Sequence, residues 1–173
     1  MKPVKPSKFF ERRVPTSWIE AKQKEDVLDA LARPSDLAKE RYTLIRPVVL
    51  INGAFDILHP AHLRLINEAR WRAGTLVALL DSDAKVKRRK GPNRPVFTWQ
   101  ERATSLFYCG CDIIVEVDSE EDFLEAVEAV QPDARVLGAE YKGKPSRLPH
   151  IHTIYIADRG VHTSDVLRRI LKR

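Results

Sequence analysis

The chain has 173 residues, 43% hydrophobic and 31% charged, with a formal net charge of +6. That size suits one domain with an added segment and a proper core. No apolar run approaches the ~20 residues of a membrane helix, and no signal-type apolar stretch follows the basic N-terminus. A cytoplasmic protein with no membrane partner is therefore expected, and its positive charge suits an anionic ligand.

In chain order, residues 1–46 read as a helical N-terminal extension. Ser17 and Glu20 match a capping box. Ile19, Val27, Leu28 and Leu31 then form a helical stripe that runs up to Arg33-Pro34, and residues 35–42 read as a second short helix. Residues 47–173 form the main domain, in which apolar strands alternate with helices. Strands are expected over 48–51, 75–80, 113–117, 134–138 and 152–157, and helices over 62–73, 98–108, 119–130 and 165–171. Ser119 is the expected N-cap of the third of these helices. This alternation implies a Rossmann-like α/β fold, with a parallel five-stranded sheet flanked by helices. Ligands in such sheets sit at the carboxyl ends of the strands, near the switch point.

Cys109 and Cys111 are too poorly spaced for an ordinary disulfide and read as reduced, buried small residues. Trp71 and Trp99 read as packing residues. Asp112 and Glu116 read as solvated positions.

The most informative stretch is Asn52-Gly53-Ala54-Phe55-Asp56-Ile57-Leu58-His59-Pro60-Ala61-His62. It joins the first apolar strand to an amphipathic helix. A helix start offers free N–H groups and a positive dipole end to a phosphate. Two histidines there add donors where negative charge develops during phosphoryl or nucleotidyl transfer.

Gly-x-Phe-Asp-x-Leu-His-x-x-His resembles the first signature of the HxGH nucleotidylyltransferases, the superfamily of cytidylyltransferases and sugar-phosphate adenylyltransferases. Ala61 stands where that family has Gly. A second segment leaves the end of the second strand and reads as a basic loop. It carries five Lys or Arg residues between Lys85 and Lys90, followed by Arg94. Its Ser-Asp-x-x-Val-Lys-x-x-Lys-Gly-x-x-Arg-Pro-Val pattern, followed by Arg102, resembles the adenylyltransferases that make ADP-heptose. Gly138-Ala139-Glu140-Tyr141 resembles their Gly-Gly-Asp-Tyr segment, and His162-Thr163-Ser164 their Ser-Thr-Thr helix start.

The resemblance implies direct transfer of a nucleoside monophosphate from a nucleoside triphosphate to a phosphorylated sugar or polyol, with pyrophosphate leaving. ATP is the favoured nucleotide. A CTP-dependent enzyme acting on glycerol 3-phosphate is the alternative, and a catalytically weak nucleotide-binding or regulatory protein is another. By resemblance the catalytic set is His59, His62, Lys85 and Lys87. Nucleotide contacts are implied at Gly53, Ala54, Phe55, Asp56, His59, His62, Lys90, Arg94, Arg102, Gly138, Glu140, Tyr141, Thr163 and Ser164. Magnesium is expected to arrive with the nucleotide, held by its oxygens and water. No protein metal site is named, Asp56 and Asp83 being the nearest candidates. A homodimer is expected by resemblance. A nucleic-acid module built on the basic run is the third reading, and no nucleic-acid partner is expected.

Overall fold

The computed structural model describes residues 31–32, 44–157, 163 and 166–168. The elements in chain order are β1 (Leu31–Ala32), β2 (Val48–Gly53), α1 (Pro60–Arg72), β3 (Thr75–Asp81), α2 (Asp83–Lys90), α3 (Trp99–Tyr108), β4 (Ile113–Val117), α4 (Glu120–Val130), β5 (Ala134–Gly138), a 3-10 turn (Ala139–Tyr141) and β6 (His152–Ile156). Thr163 and residues 166–168 are helical. Apart from Leu31 and Ala32, the helical stripe expected up to Arg33-Pro34 and the second helix expected over 35–42 lie outside the described residues.

The strands pair in the order β1-β4-β3-β2-β5-β6, every pair parallel. The five expected strands thus form a continuous parallel sheet, and β1 extends it by two residues along β4. The sequence pattern puts Leu31 at the end of a helical stripe. It instead pairs with Ile114 as an edge strand. A second correction concerns the basic segment, which is not a loop: residues Asp83–Lys90 form helix α2. Ser82 caps it by accepting from the Lys85 N–H at 2.9 Å, and Lys87, Arg88, Arg89 and Lys90 fill its last turn. Cations there offset the negative end of the helix dipole, so the charge run supports the helix.

Alternate residues of each strand serve opposite faces of the sheet. Val49 and Ile51 of β2 join Leu76, Ala78 and Leu80 of β3 beneath Ile66 and Ala69 of α1 and Ala103 and Leu106 of α3. Val48 and Leu50 join Val77 and Leu79 beneath Phe123, Ala126 and Val130 of α4. Burial on both faces explains the unbroken apolar strands. Trp99 is part of the first cluster, whereas Trp71 is exposed. Capping boxes start α3 (Thr98 with Glu101) and α4 (Ser119 with Asp122).

Asp112 is not merely solvated. Its carboxylate pairs with Arg70 and accepts from the Leu76 N–H at 2.8 Å, tying α1 to the start of β3. The chain entering β2 crosses the same corner. Gly74 N–H donates to the Pro47 carbonyl at 2.7 Å, and Thr75 Oγ1 donates to the Ile45 carbonyl at 2.9 Å. A Cβ on Gly74 would lie 2.5 Å from the Ile45 oxygen and 2.6 Å from that of Arg46.

At β2 the strand order reverses, with β3 on one side and β5 on the other. The crevice outside their carboxyl ends is where the fold places a ligand. Gly74→Ala is expected to keep the fold but lose about 2 kcal/mol of stability. Urea denaturation of the two proteins measures the difference, and an unchanged midpoint would contradict the close-approach argument.

Candidate functional site

A cavity of about 350 Å³ opens at the carboxyl ends of β2 and β5. Its walls come from the turn after β2, the start of α1, the end of α2, the 3-10 turn after β5 and Thr163. The chain leaves β2 through a strained residue. Phe55 holds a φ of 44°, a left-handed conformation that a bulky side chain adopts at a cost of ~1–3 kcal/mol. Its buried ring packs 5.3 Å from the His62 ring, centroid to centroid.

His59 is the N-cap residue of α1, Pro60 follows inside the first turn, and His62 sits one turn on. The two imidazoles stack with centroids 3.8 Å apart and planes 25° from parallel. His62 Nδ1–H donates to the Ile57 carbonyl at 3.2 Å. A carbonyl only accepts, so Nδ1 carries a proton, and Nε2 donates to a phosphate oxygen only in the imidazolium form. Both rings line the cavity beside the amino end of α1. Ala61 lines it too, so its methyl occupies part of the wall.

The other expected contacts divide into three groups. Gly53, Ala54, Phe55, Asp56, Lys90, Gly138, Glu140, Tyr141 and Thr163 line this cavity with the histidines. Partial desolvation, then repulsion from Arg89 and Arg94, lowers the Lys90 pKa from its ordinary value. Lys85 lines a neighbouring cavity of about 260 Å³, where its ammonium lies 3.3 Å from Asp81. Lys87, Arg94 and Arg102 line neither cavity. Ser164 lies outside the described residues.

Helical spacing distributes the basic run. Lys85 and Arg89 are four residues apart and share the Asp81 carboxylate, with Arg89 at 3.0 Å. Arg88 reaches Asp118 at 3.1 Å, and Lys87 is exposed.

Arg102 and Asp56 frame the site from behind. Arg102 is 1% exposed. Its guanidinium donates to the carbonyls of Ala54, Phe97 (3.1 Å) and Asp81 (2.9 Å), and pairs with Asp83 at 2.6 Å. Asp56 is 2% exposed. It accepts from the N–H groups of Val96 (2.8 Å) and Phe97 (3.1 Å) and pairs with Arg94. Arg102 thus meets four protein acceptors, and Arg94 is bound to Asp56. Asp56 and Asp83, the nearest metal-ligand candidates, are committed to arginines. Among the described residues no group of three or more His, Cys, Asp or Glu could hold a metal ion. The described residues thus do not form a protein cage for magnesium.

Sequence reasoning missed Arg89, which lines both cavities, and Arg135, which lines the second. Arg135 carried a legible signal as the one charged residue in the apolar segment Ala134–Gly138. Cys111 is buried and Cys109 half-buried, both as free thiols, and burial raises both pKa values. Among the described residues no helix is long and apolar enough to cross a membrane.

A family model described as cytidylyltransferase-like matches residues 50–156, more than half of the chain. The chain belongs to the cytidylyltransferase-like family. The bifunctional protein HldE of Syntrophotalea carbinolica is 37% identical over 136 residues, covering 74% of this chain and 28% of that protein. The chain therefore spans well under half of that relative's length. Among solved structures, the lipopolysaccharide core biosynthesis protein from Thermoplasma volcanium matches with a TM-score of 0.50 and 24% identity, over 64% of this chain and 93% of that one. The pantoate-beta-alanine ligase from Francisella tularensis matches with a TM-score of 0.55 and 12% identity, over 83% and 79%. Both structural likenesses concern the fold.

Arg102→Met is expected to cost about 3 kcal/mol of stability, because three carbonyls lose their donor, while the half-exposed Asp83 carboxylate it leaves stays solvated. Chemical denaturation followed by circular dichroism measures it. A loss below about 1 kcal/mol would mean that the network does not hold the turn.

Proposed function

We propose that this member of the cytidylyltransferase-like family is a nucleotidylyltransferase that transfers a nucleoside monophosphate, with ATP the favoured donor, to a phosphorylated sugar or polyol. The observation that carries the reading is the stacked His59/His62 pair at the amino end of α1, lining the cavity outside β2. The motif resemblance to the adenylyltransferases that make ADP-heptose, and the 37% identity to a bifunctional HldE protein, support the choice of ATP and a sugar phosphate.

In this reading the triphosphate enters the first cavity. An oxygen of the acceptor's phosphate attacks the α-phosphorus. A new P–O bond forms as the bond to the bridging oxygen of the β-phosphate breaks, and pyrophosphate leaves with the electron pair. No covalent intermediate on the protein is needed. The chain's work is alignment and offsetting of charge. His62, oriented by the Ile57 carbonyl, donates from Nε2 to the phosphate chain as the imidazolium, and His59 braces its ring. The first-turn N–H groups of α1 and the Lys90 ammonium add positive potential. Magnesium would enter as the counter-ion of the triphosphate, and no step here is routed through it.

The test is pyrophosphate release from each nucleoside triphosphate with a panel of sugar and polyol phosphates in the presence of magnesium. One donor–acceptor pair is expected to turn over. His62→Ala is expected to slow it by roughly 10²–10³-fold while the circular dichroism spectrum and melting temperature stay near those of the wild type. Saturable nucleotide binding with no pyrophosphate from any pair would overturn the enzyme reading and favour a regulatory one.

A further inference from the structure

The second cavity lies on the face of the sheet covered by α4. Its floor is built from residues at the strand ends, among them Asn52, Leu79, Val117 and Arg135. Five basic side chains line it (Lys85, Arg89, Arg135, Lys144 and Arg147) against the single carboxylate of Asp81. Lys85 and Arg89 already share that carboxylate, and Arg147 pairs with Glu120 at 2.9 Å on the surface. Arg135 differs from all of them. It is 5% exposed, and its Nε and Nη2 donate at 3.0 and 2.8 Å to the side-chain oxygen of Asn52, a neutral acceptor.

Among the described residues no carboxylate lies within ion-pair distance of Arg135. A guanidinium does not discharge itself by losing a proton, and a buried charge without a counter-charge is costly. Burial and then repulsion from Arg147 work against the charge of Arg135, and the more distant Glu120 carboxylate, already paired with Arg147, favours it. The two guanidinium carbons lie 5.7 and 5.6 Å from the centroid of one ring, that of Phe123. A ring quadrupole offsets only part of such a charge. An anion would offset the remainder, and the cavity of about 260 Å³ has room for a small one. Asn52, which fixes the Arg135 guanidinium, lines both cavities. An anion on Arg135 would therefore sit at the wall shared with the first cavity.

We propose that the second cavity is the acceptor's site and that Arg135 is its specificity-determining residue, binding the phosphate of a small phosphomonoester at the wall shared with the nucleotide cavity. The proposal rests on the nucleotidyl-transfer reading for the word acceptor. The anion site itself rests on the burial of Arg135. Asn52 holds the guanidinium in place, and the rings of Phe123 and Tyr155 offer a surface to the organic part of the ligand.

Isothermal titration at constant ionic strength tests it with inorganic phosphate and sn-glycerol 3-phosphate as probes. The protein is first saturated with an α,β-methylene analogue of ATP or CTP, which fills the first cavity without reacting. The nucleotide-loaded wild type is expected to bind the probes, and Arg135→Gln to bind them roughly tenfold or more weakly. Affinity for the nucleotide analogue is expected to stay within about twofold, and Arg135→Lys to recover part of the phosphate binding. In turnover, the same substitution is expected to raise the acceptor KM and leave the nucleotide KM unchanged.

Failure of the nucleotide-loaded wild type to bind either probe would overturn the proposal without recourse to any variant. Equal loss of phosphate and nucleotide binding in a folded Arg135→Gln protein would overturn it too. Turnover with an unchanged acceptor KM would sink the role of Arg135 and leave the transfer reading standing. Arg135-dependent phosphate binding without turnover would do the reverse.

Discussion

One buried guanidinium holds the turn on which the histidines are presented. Arg102 gathers the carbonyl of Ala54 after β2, that of Asp81 at the end of β3, that of Phe97 before α3, and the Asp83 carboxylate at the start of α2. These acceptors come from segments far apart in the chain, and all converge behind the first cavity. Asp56 is the counterpart of opposite sign, holding the N–H groups of Val96 and Phe97 and the side chain of Arg94. Buried charges are retained at a cost and do most for a structure when every donor is used. Here that use is geometric, because the loop after β2 cannot move without breaking its bonds to Arg102 of α3 and to Arg94, Val96 and Phe97 before that helix.

With the loop held, the positive-φ conformation of Phe55 becomes intelligible. Backbone strain persists only where the surroundings over-determine it. The Arg102 and Asp56 bonds flank Phe55 on both sides along the chain, and its ring packs against His62. The His62 ring is set in turn by the Ile57 carbonyl within the same loop. The imidazole orientation is therefore inherited from the buried network through a short chain of contacts.

The α2 helix shows how secondary structure sorts charge. Read as a loop, its cations would all be available to one polyanion. In a helix they fan out, so Lys85 and Arg89 flank Asp81, Arg88 turns to Asp118, and Lys90 alone of the run's lysines reaches the first cavity. The positive potential is divided between two adjacent cavities that share Arg89. That division matches a site with two anionic ligands better than a single phosphate cradle.

Much of the fold was legible in the residues. The central strands β2 and β3 are nearly continuous apolar runs because both faces of the sheet are covered there. Capping at Ser119 was readable because it is a local bond across three residues. The histidine pair was placed correctly at the strand-to-helix junction because its spacing and the preceding strand are local too. Arg94, Arg102 and Asp112 were not legible in this way. An arginine in a phosphate-type motif reads as a ligand contact until its acceptors are known, and the Arg102 acceptor at Ala54 lies 48 residues away along the chain. Arg135 stood out as a charge in an apolar strand, but that no carboxylate among the described residues pairs with it became visible only when folding brought Asn52 beside it. By itself the sequence determined the alternating α/β architecture and the position of the histidines, because periodicity and short-range spacing are properties of neighbouring residues. Only the tertiary structure decided which cations face a cavity and which bind the protein itself, because long charged side chains are directed by partners that folding brings from distant segments.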